Sequence, residues 1–334
     1  MKRWGVIPYL VLALIFVLPA QAHVPVNTAE NTALGGAVAV DNPQKSFVFY
    51  GYLHDPGDVA YYRLILSAGD QFPVSLMNAG PGKPVPDMVI LVPGDSPRPG
   101  DIPAQVTIPE GYHGELIRGL AQPHGEYEPF TPAAIFTVAR YSRQITIPGV
   151  YYVAVVSPAA DTPYSIATGY HEEFSPSEWV MVPLNGITVH QWEGQSVLTL
   201  LAPFLAVVIL GLILVLRREK RRTVHPPIGF WLATIAGLCY LGGAAVTFVQ
   251  MVRAVGIAGF SPAVGITLFF TLVPLVLGVG ALRVTRKTGP WTIRDRLSLG
   301  VIGVLGAVFW AGFIIGPVLA VIAAAFPDSL APSP

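Results

Sequence analysis

The hydrophobic pattern divides this chain near residue 196. Between 46 and 170 the apolar positions come in short runs, at 46–53, 61–66, 71–77, 88–92, 150–156 and 164–170, separated by Gly, Pro and Asp. Short alternating runs with turn residues between them predict half-buried β-strands. From 197 onward the runs are long and uncharged, at 197–216, 228–252, 260–282 and 297–326. Each is long enough for a hydrocarbon core of about 30 Å, so the pattern predicts four transmembrane helices. The predicted fold class is an all-β sandwich ectodomain, jelly-roll-like, followed by an α-helical four-span transmembrane bundle.

The remaining segments frame these two parts. Residues 1–22 read as a cleaved secretory signal peptide, with Lys2 and Arg3 ahead of an apolar core and Ala20-Gln21-Ala22 as the cleavage site. Residues 23–45 are small and polar and predict a lead-in arm, leaving 46–173 for the sandwich. At the junction, Ser175-Pro176-Ser177-Glu178 is a helix-start signal: Ser175 caps, Pro176 suits the first helical position, and Glu178 reaches back to the cap amide. Residues 174–196 are predicted to lie along the bilayer surface, with Trp179 and Trp192 as interfacial anchors. Pro183 and Gly186 predict a break in that helix. Trp291 is a third interfacial aromatic, between the last two spans.

Charge orients the pattern. The net charge of zero conceals 17 acidic and 7 basic side chains over 23–196, against 3 acidic and 11 basic from 197 onward. An acidic first half argues against a nucleic-acid partner, since phosphate binding needs a basic footprint. Ten of the eleven later basic residues fall in the first and third connections between spans. That asymmetry places both loops in the cytoplasm of a plasma-membrane protein, with the ectodomain and the C-terminal tail 327–334 outside. A mean hydropathy of +0.56, with 52% hydrophobic and 12% charged residues, suits such a chain. The single cysteine, Cys239, lies in a span, so no disulfide forms within the chain.

Four stretches look like a known family. Residues 58–70 (Asp-Val-Ala-Tyr-Tyr-Arg-Leu-Ile-Leu-Ser-Ala-Gly-Asp), 86–91, 148–155 with its Gly-Val-Tyr-Tyr strand, and 164–168 together resemble the bacterial pre-peptidase C-terminal domain. The resemblance spans roughly 46–170 and implies a small jelly-roll-like β-sandwich, a module attached to secreted enzymes and surface proteins. The chain departs from it by a long insertion over 93–139 and by having no peptidase domain.

The insertion holds the candidate chemistry. His113-Gly-Glu115 and His124-Gly-Glu126 repeat one tripeptide eleven residues apart. With Tyr112, Tyr127 and Phe130 they offer an aromatic and polar surface for a ligand or partner. As a loop on a rigid scaffold it is expected to carry recognition, and shortening it is expected to leave folding intact. The same His113, Glu115, His124 and Glu126, with His23 at the mature terminus, are an alternative divalent-metal set for copper, zinc or calcium. No nucleophile elbow or phosphate loop occurs. The spans carry no His, Asp, Glu, Lys or Arg at mid-depth, which argues against a proton path or a haem site within them. Gly312-Phe-Ile-Ile-Gly316 marks close helix packing. The resulting expectation is a non-enzymatic, membrane-anchored surface protein without a cofactor, binding a partner protein, glycan or small ligand as part of a membrane assembly. A metal-dependent redox or hydrolytic subunit is the alternative.

Overall fold

The computed structural model describes residues 24–28, 31–94, 100–220, 226–287 and 289–326. The signal peptide expected over 1–22, His23, part of the first basic connection (221–225) and residues 327–334 lie outside the described residues.

The first half forms two sheets. A six-stranded sheet has the order β1-β3-β11-β5-β9-β8, from Val24–Asn27 (β1), Phe47–Leu53 (β3), Gln71–Asn78 (β5), Glu126–Glu128 (β8), Ala133–Gln144 (β9) and Thr162–Thr168 (β11). A five-stranded sheet has the order β2-β4-β10-β6-β7, from Val38–Val40 (β2), Val59–Leu66 (β4), Asp87–Pro93 (β6), Tyr112–Ile117 (β7) and Gly149–Val156 (β10). Pairing is antiparallel except for β1 on β3 and β2 on β4. Period-two alternation does the sorting. Tyr62, Leu64, Met88, Ile90 and Val153 of one sheet and Phe49, Leu76, Tyr164 and Ile166 of the other share one buried cluster. The Tyr62 and Tyr164 hydroxyls bond across the sheets at 2.8 Å.

Every predicted strand forms, but four others are unannounced by the pattern: β1 and β2 in the lead-in arm, and β7 and β8 in the insertion. β9, twelve residues long, adds a fifth. The insertion is therefore no free loop. Its first half lays Ile102, Val106 and Ile108 on the outer face of the five-stranded sheet, against Tyr61, Val89 and Leu91. The Thr107 amide donates to the Tyr61 hydroxyl at 2.8 Å. This cover explains why β6 is buried on both faces.

The second half is helical: Pro176–Trp192 (α1), Val197–Glu219 (α2), Ile228–Ala258 (α3), Val264–Val284 (α4), Ile293–Val308 (α5) and Ile315–Ala325 (α6). α1 opens with the capping box that its sequence announces. The Ser175 hydroxyl accepts from the Glu178 amide at 3.3 Å, and the Glu178 carboxylate accepts from the Ser175 amide at 2.7 Å. Lys45 ties the same carboxylate to the β-region at 2.7 Å. Burial works against ionisation there, yet Lys45 and Ser175 hold the Glu178 carboxyl below its ordinary range.

The predicted break at Pro183 does not occur; α1 runs unbroken through it. Proline removes the bond that its amide would give to the carbonyl four residues back, which is that of Trp179. Here the Trp310 indole N–H supplies the missing donor to the Trp179 carbonyl, at 2.9 Å.

Three helices, α2, α3 and α4, are long and apolar enough to cross a membrane. α3 and α4 meet at Gly237 and Gly278, where a Cβ on either would come within 3.1 Å of the other's carbonyl oxygen. The single span expected over 297–326 is instead a hairpin. α5 and α6, at 16 and 11 residues, are roughly 24 and 16 Å long, too short to cross alone. Gly303 faces Val321 and Pro317, and Arg296 donates to the carbonyls of Ala324 and Phe326. The chain thus returns to the end at which α5 began. The turn reverses through left-handed backbone at Trp310 (φ 51°), Gly312 (68°), Phe313 (52°) and Ile314 (69°). Such conformations cost about 1–3 kcal/mol each outside glycine, so neighbouring contacts must hold the tip in place.

Candidate functional site at the junction of the two regions

The turn between β8 and β9 docks on the helices. Thr267, fully buried on α4, donates its hydroxyl to the Pro129 carbonyl at 2.7 Å. With its one proton so used, the Thr267 oxygen accepts from the Tyr127 hydroxyl, also at 2.7 Å. Phe130 meets Phe270 at 5.7 Å between ring centroids, Phe270 stacks on Trp310 at 5.8 Å, and Trp310 lies 4.3 Å from Trp179. An unbroken aromatic path links β-region, bundle and hairpin tip.

Beside it sits a polar cluster. The His190 Nδ1 lies 2.8 Å from a Glu193 carboxylate oxygen, and the Gln195 amide donates to that oxygen at 3.1 Å. Gln195 and Gln250 of α3 exchange two amide bonds of 3.0 Å. His190, Gln195 and Gln250 are buried. A polar group sheltered from water needs such partners, and this set binds the end of α1 to α3.

Three cavities, of about 120, 110 and 190 Å³, surround the cluster. The first lies among α1, α3 and the hairpin tip, and the third opens between Lys83, Arg253 and Glu193. The second is walled by the β-region and α1 and contains two carboxylates, Glu128 and Glu193. Burial pushes the Glu128 carboxyl up to about 7; the Phe130 and Thr131 amides oppose the shift and Glu172 adds to it. The Phe130 amide donates to that carboxylate at 3.0 Å. Tyr50, in the same wall, is raised out of its usual range by burial first, then by Glu128 and Glu193.

The residues proposed from sequence separate into two places. Tyr127 and Phe130 belong to the junction. Tyr112 packs edge-on against Tyr152 at 5.8 Å on the outer sheet face. His113 and Glu115 share a face of β7, with 3.4 Å between their side chains, but Arg143 occupies Glu115 at 2.7 Å. Glu126 is exposed and paired with Arg140 at 3.0 Å, and His124 is exposed on the loop before β8. The two tripeptides sit on different sheets. Among the described residues, no three His, Cys, Asp or Glu side chains gather as a metal site. Asp58, in the turn after His54, accepts from the His54 and Asp55 amides at 3.1 and 2.9 Å. Of the proposed interfacial tryptophans, Trp192 donates to the Tyr164 carbonyl at 3.1 Å and packs on Tyr50 at 5.1 Å, so it is bound to the β-region. Trp179 contacts the hairpin tip, and Trp291 packs with the α3, α4 and α5 cluster around Ala233 and Leu299.

Sequence reasoning missed Glu128, Glu193, Gln250, Thr267 and Trp310. Gln250 carried a signal, being a lone amide in an apolar run; the others gain meaning only from the docking. Fold and junction define a two-part protein, a β-region seated on a helical region with three membrane-capable helices. The chain matches no family model, and no curated protein matches it.

Proposed function

We propose that this is a multi-pass membrane protein that holds an exported β-sandwich rigidly on its helices and binds a small ligand where the two meet, without chemical turnover. The observation carrying this reading is the junction, where cavities surround half-buried carboxylates and a hydrogen-bonded docking turn. Two sheets sharing one buried cluster support the jelly-roll-like sandwich that the pre-peptidase resemblance implies. The basic connections support a cytoplasmic end at Arg217–Lys220 and Arg283–Lys287. Because the hairpin returns Phe326 to Arg296, the C-terminal end is assigned to that cytoplasmic side, rather than outside as four full spans require.

The orientation has a direct test. A cysteine at Ser142 should react with a membrane-impermeant thiol reagent on intact cells, and one at Thr223 should not; labelling only at Thr223 reverses the assignment. The binding reading is tested by native mass spectrometry of the full chain from mild detergent. A small molecule should be released from the wild type, with occupancy about tenfold lower in Val182→Trp, whose ring would crowd the wall that two of the cavities share. Equal retention by both chains, or none by the wild type, overturns it.

A further inference from the structure

We infer that the second junction cavity is a site for a small organic cation, an alkylammonium group. This rests on reading the junction as a binding site and names the chemistry of its ligand. Five aromatic rings line that cavity: Tyr50, Phe130, Phe174, Trp192 and Trp310. Two carboxylates, Glu128 and Glu193, join them, and no lysine, arginine or histidine does. Glu193 already has a donor in His190, whereas among the described residues Glu128 is met by the backbone amides of Phe130 and Thr131 and has no cation beside it. A desolvated carboxylate without a counter-ion, as Glu128 is, favours a cationic guest. Aromatic faces attract the same guest through their quadrupoles and replace the weak hydration of an alkylated ammonium. A water-exposed metal ion would gain little from such walls. The volume suits the guest, since 110 Å³ is close to the roughly 150 Å³ that accepts a benzene-sized molecule.

The raised Glu128 carboxyl gives the site a pH signature. A cation needs the ionised form, so protons compete with it as pH falls through about 7. The charged or titratable groups facing Glu128 among the described residues are Glu172, Glu193 with its His190 partner, Tyr50 and Tyr127.

The experiment titrates the detergent-solubilised full chain with choline and tetramethylammonium, against 3,3-dimethylbutanol as the uncharged isostere of choline. Calorimetry and the fluorescence of Trp192 and Trp310 read binding. Choline should bind more tightly than the alcohol by about tenfold or more. Its affinity should rise roughly thirtyfold from pH 5.5 to 8.5. Glu128→Gln keeps an oxygen for the Phe130 amide; it should weaken choline about tenfold and flatten the pH profile. Equal affinity for the alcohol, an unchanged Glu128→Gln variant, or no binding of either ammonium overturns the cation assignment. The native mass-spectrometric comparison of wild type with Val182→Trp then decides separately whether the junction binds anything.

Discussion

Replacing residues 94–132 with a short Gly-Ser linker is expected to abolish the cooperative thermal unfolding of the β-region. The linker removes β7, whose six residues pair with β6 from Met88↔Ile117 to Pro93↔Tyr112. It uncovers the outer face of the five-stranded sheet by removing Ile102 and Val106, which are 5% and 1% exposed. It also deletes Tyr127 and Pro129, the docking contacts to Thr267. Burying one large apolar side chain contributes about 1.5–3 kcal/mol. Losing Ile102, Val106, Ile108 and Leu116, together with the shelter they give Val89 and Leu91, therefore removes an amount comparable with the roughly 5–15 kcal/mol that stabilises a whole domain. Circular dichroism melting and limited proteolysis of the detergent-purified chain would measure the effect. An unshifted cooperative melt would show that the segment is accessory after all.

This reverses what the sequence suggests, and the reason is physical. Loop-closure entropy changes slowly with length only for a connection without structure of its own. The segment reads as such a connection because Gly and Pro break its pattern, yet Gly114, Gly119 and Gly125 are packing positions. A Cβ on Gly114 would collide with Ile102, and one on Gly125 would come within 3.1 Å of both Phe136 and Ala134. The repeated His-Gly-Glu tripeptide thus reflects two places where the backbone passes close under a larger side chain, Ile102 over Gly114 and Phe136 over Gly125. The framework strands were legible because they alternate, as Ala60, Tyr62, Leu64 and Leu66 do in β4, or form a short bounded apolar run, as Met88–Val92 does in β6. β8, three residues long, has no room for alternation to show.

The junction was less legible for a related reason. Ser175-Pro-Ser-Glu predicts its cap from residues three apart, and the cap is there. Pro183 predicts a break, and the break is cancelled by Trp310, 127 positions further along and across a tertiary contact that no local pattern encodes. The run 297–326 is uniformly apolar, so hydropathy alone cannot separate one long span from a folded-back pair. The glycines hold the difference, and they bear on the second large effect.

Gly306→Leu is expected to prevent the α5–α6 hairpin from closing on α3. Tyr240, fully buried on α3, inserts its ring among Gly306, Gly312 and Gly316, and its hydroxyl donates to the Ile302 carbonyl at 3.2 Å. A Cβ at Gly306 would stand 2.8 Å from two ring atoms, and one at Gly316 2.7 Å from one of the same two. Real Cβ atoms do not approach so closely, and this ring has no free space to swing into. Overpacking of this kind typically costs about 1–3 kcal/mol, occasionally more. Here the loss would be amplified, because the same contacts hold the left-handed tip at Trp310, Phe313 and Ile314. Once the hairpin lifts, Trp310 leaves the Trp179 carbonyl, which Pro183 cannot satisfy. Two comparisons isolate the slot. Tyr240→Phe removes only the hydrogen bond, worth about 0.5–1.5 kcal/mol. Gly256→Ala, on α3 with nothing within 4 Å of the added carbon, should be neutral or stabilise by up to about 1 kcal/mol through helix propensity. Unfolding the purified protein by titration with a denaturing detergent gives the midpoints. Hydrogen exchange across 308–316 shows whether the tip has opened. Gly306→Leu should shift the midpoint further than Tyr240→Phe and strip protection from the tip and from α1 around Trp179. If its midpoint matches the wild type and the tip stays protected, the glycines are not what seats Tyr240.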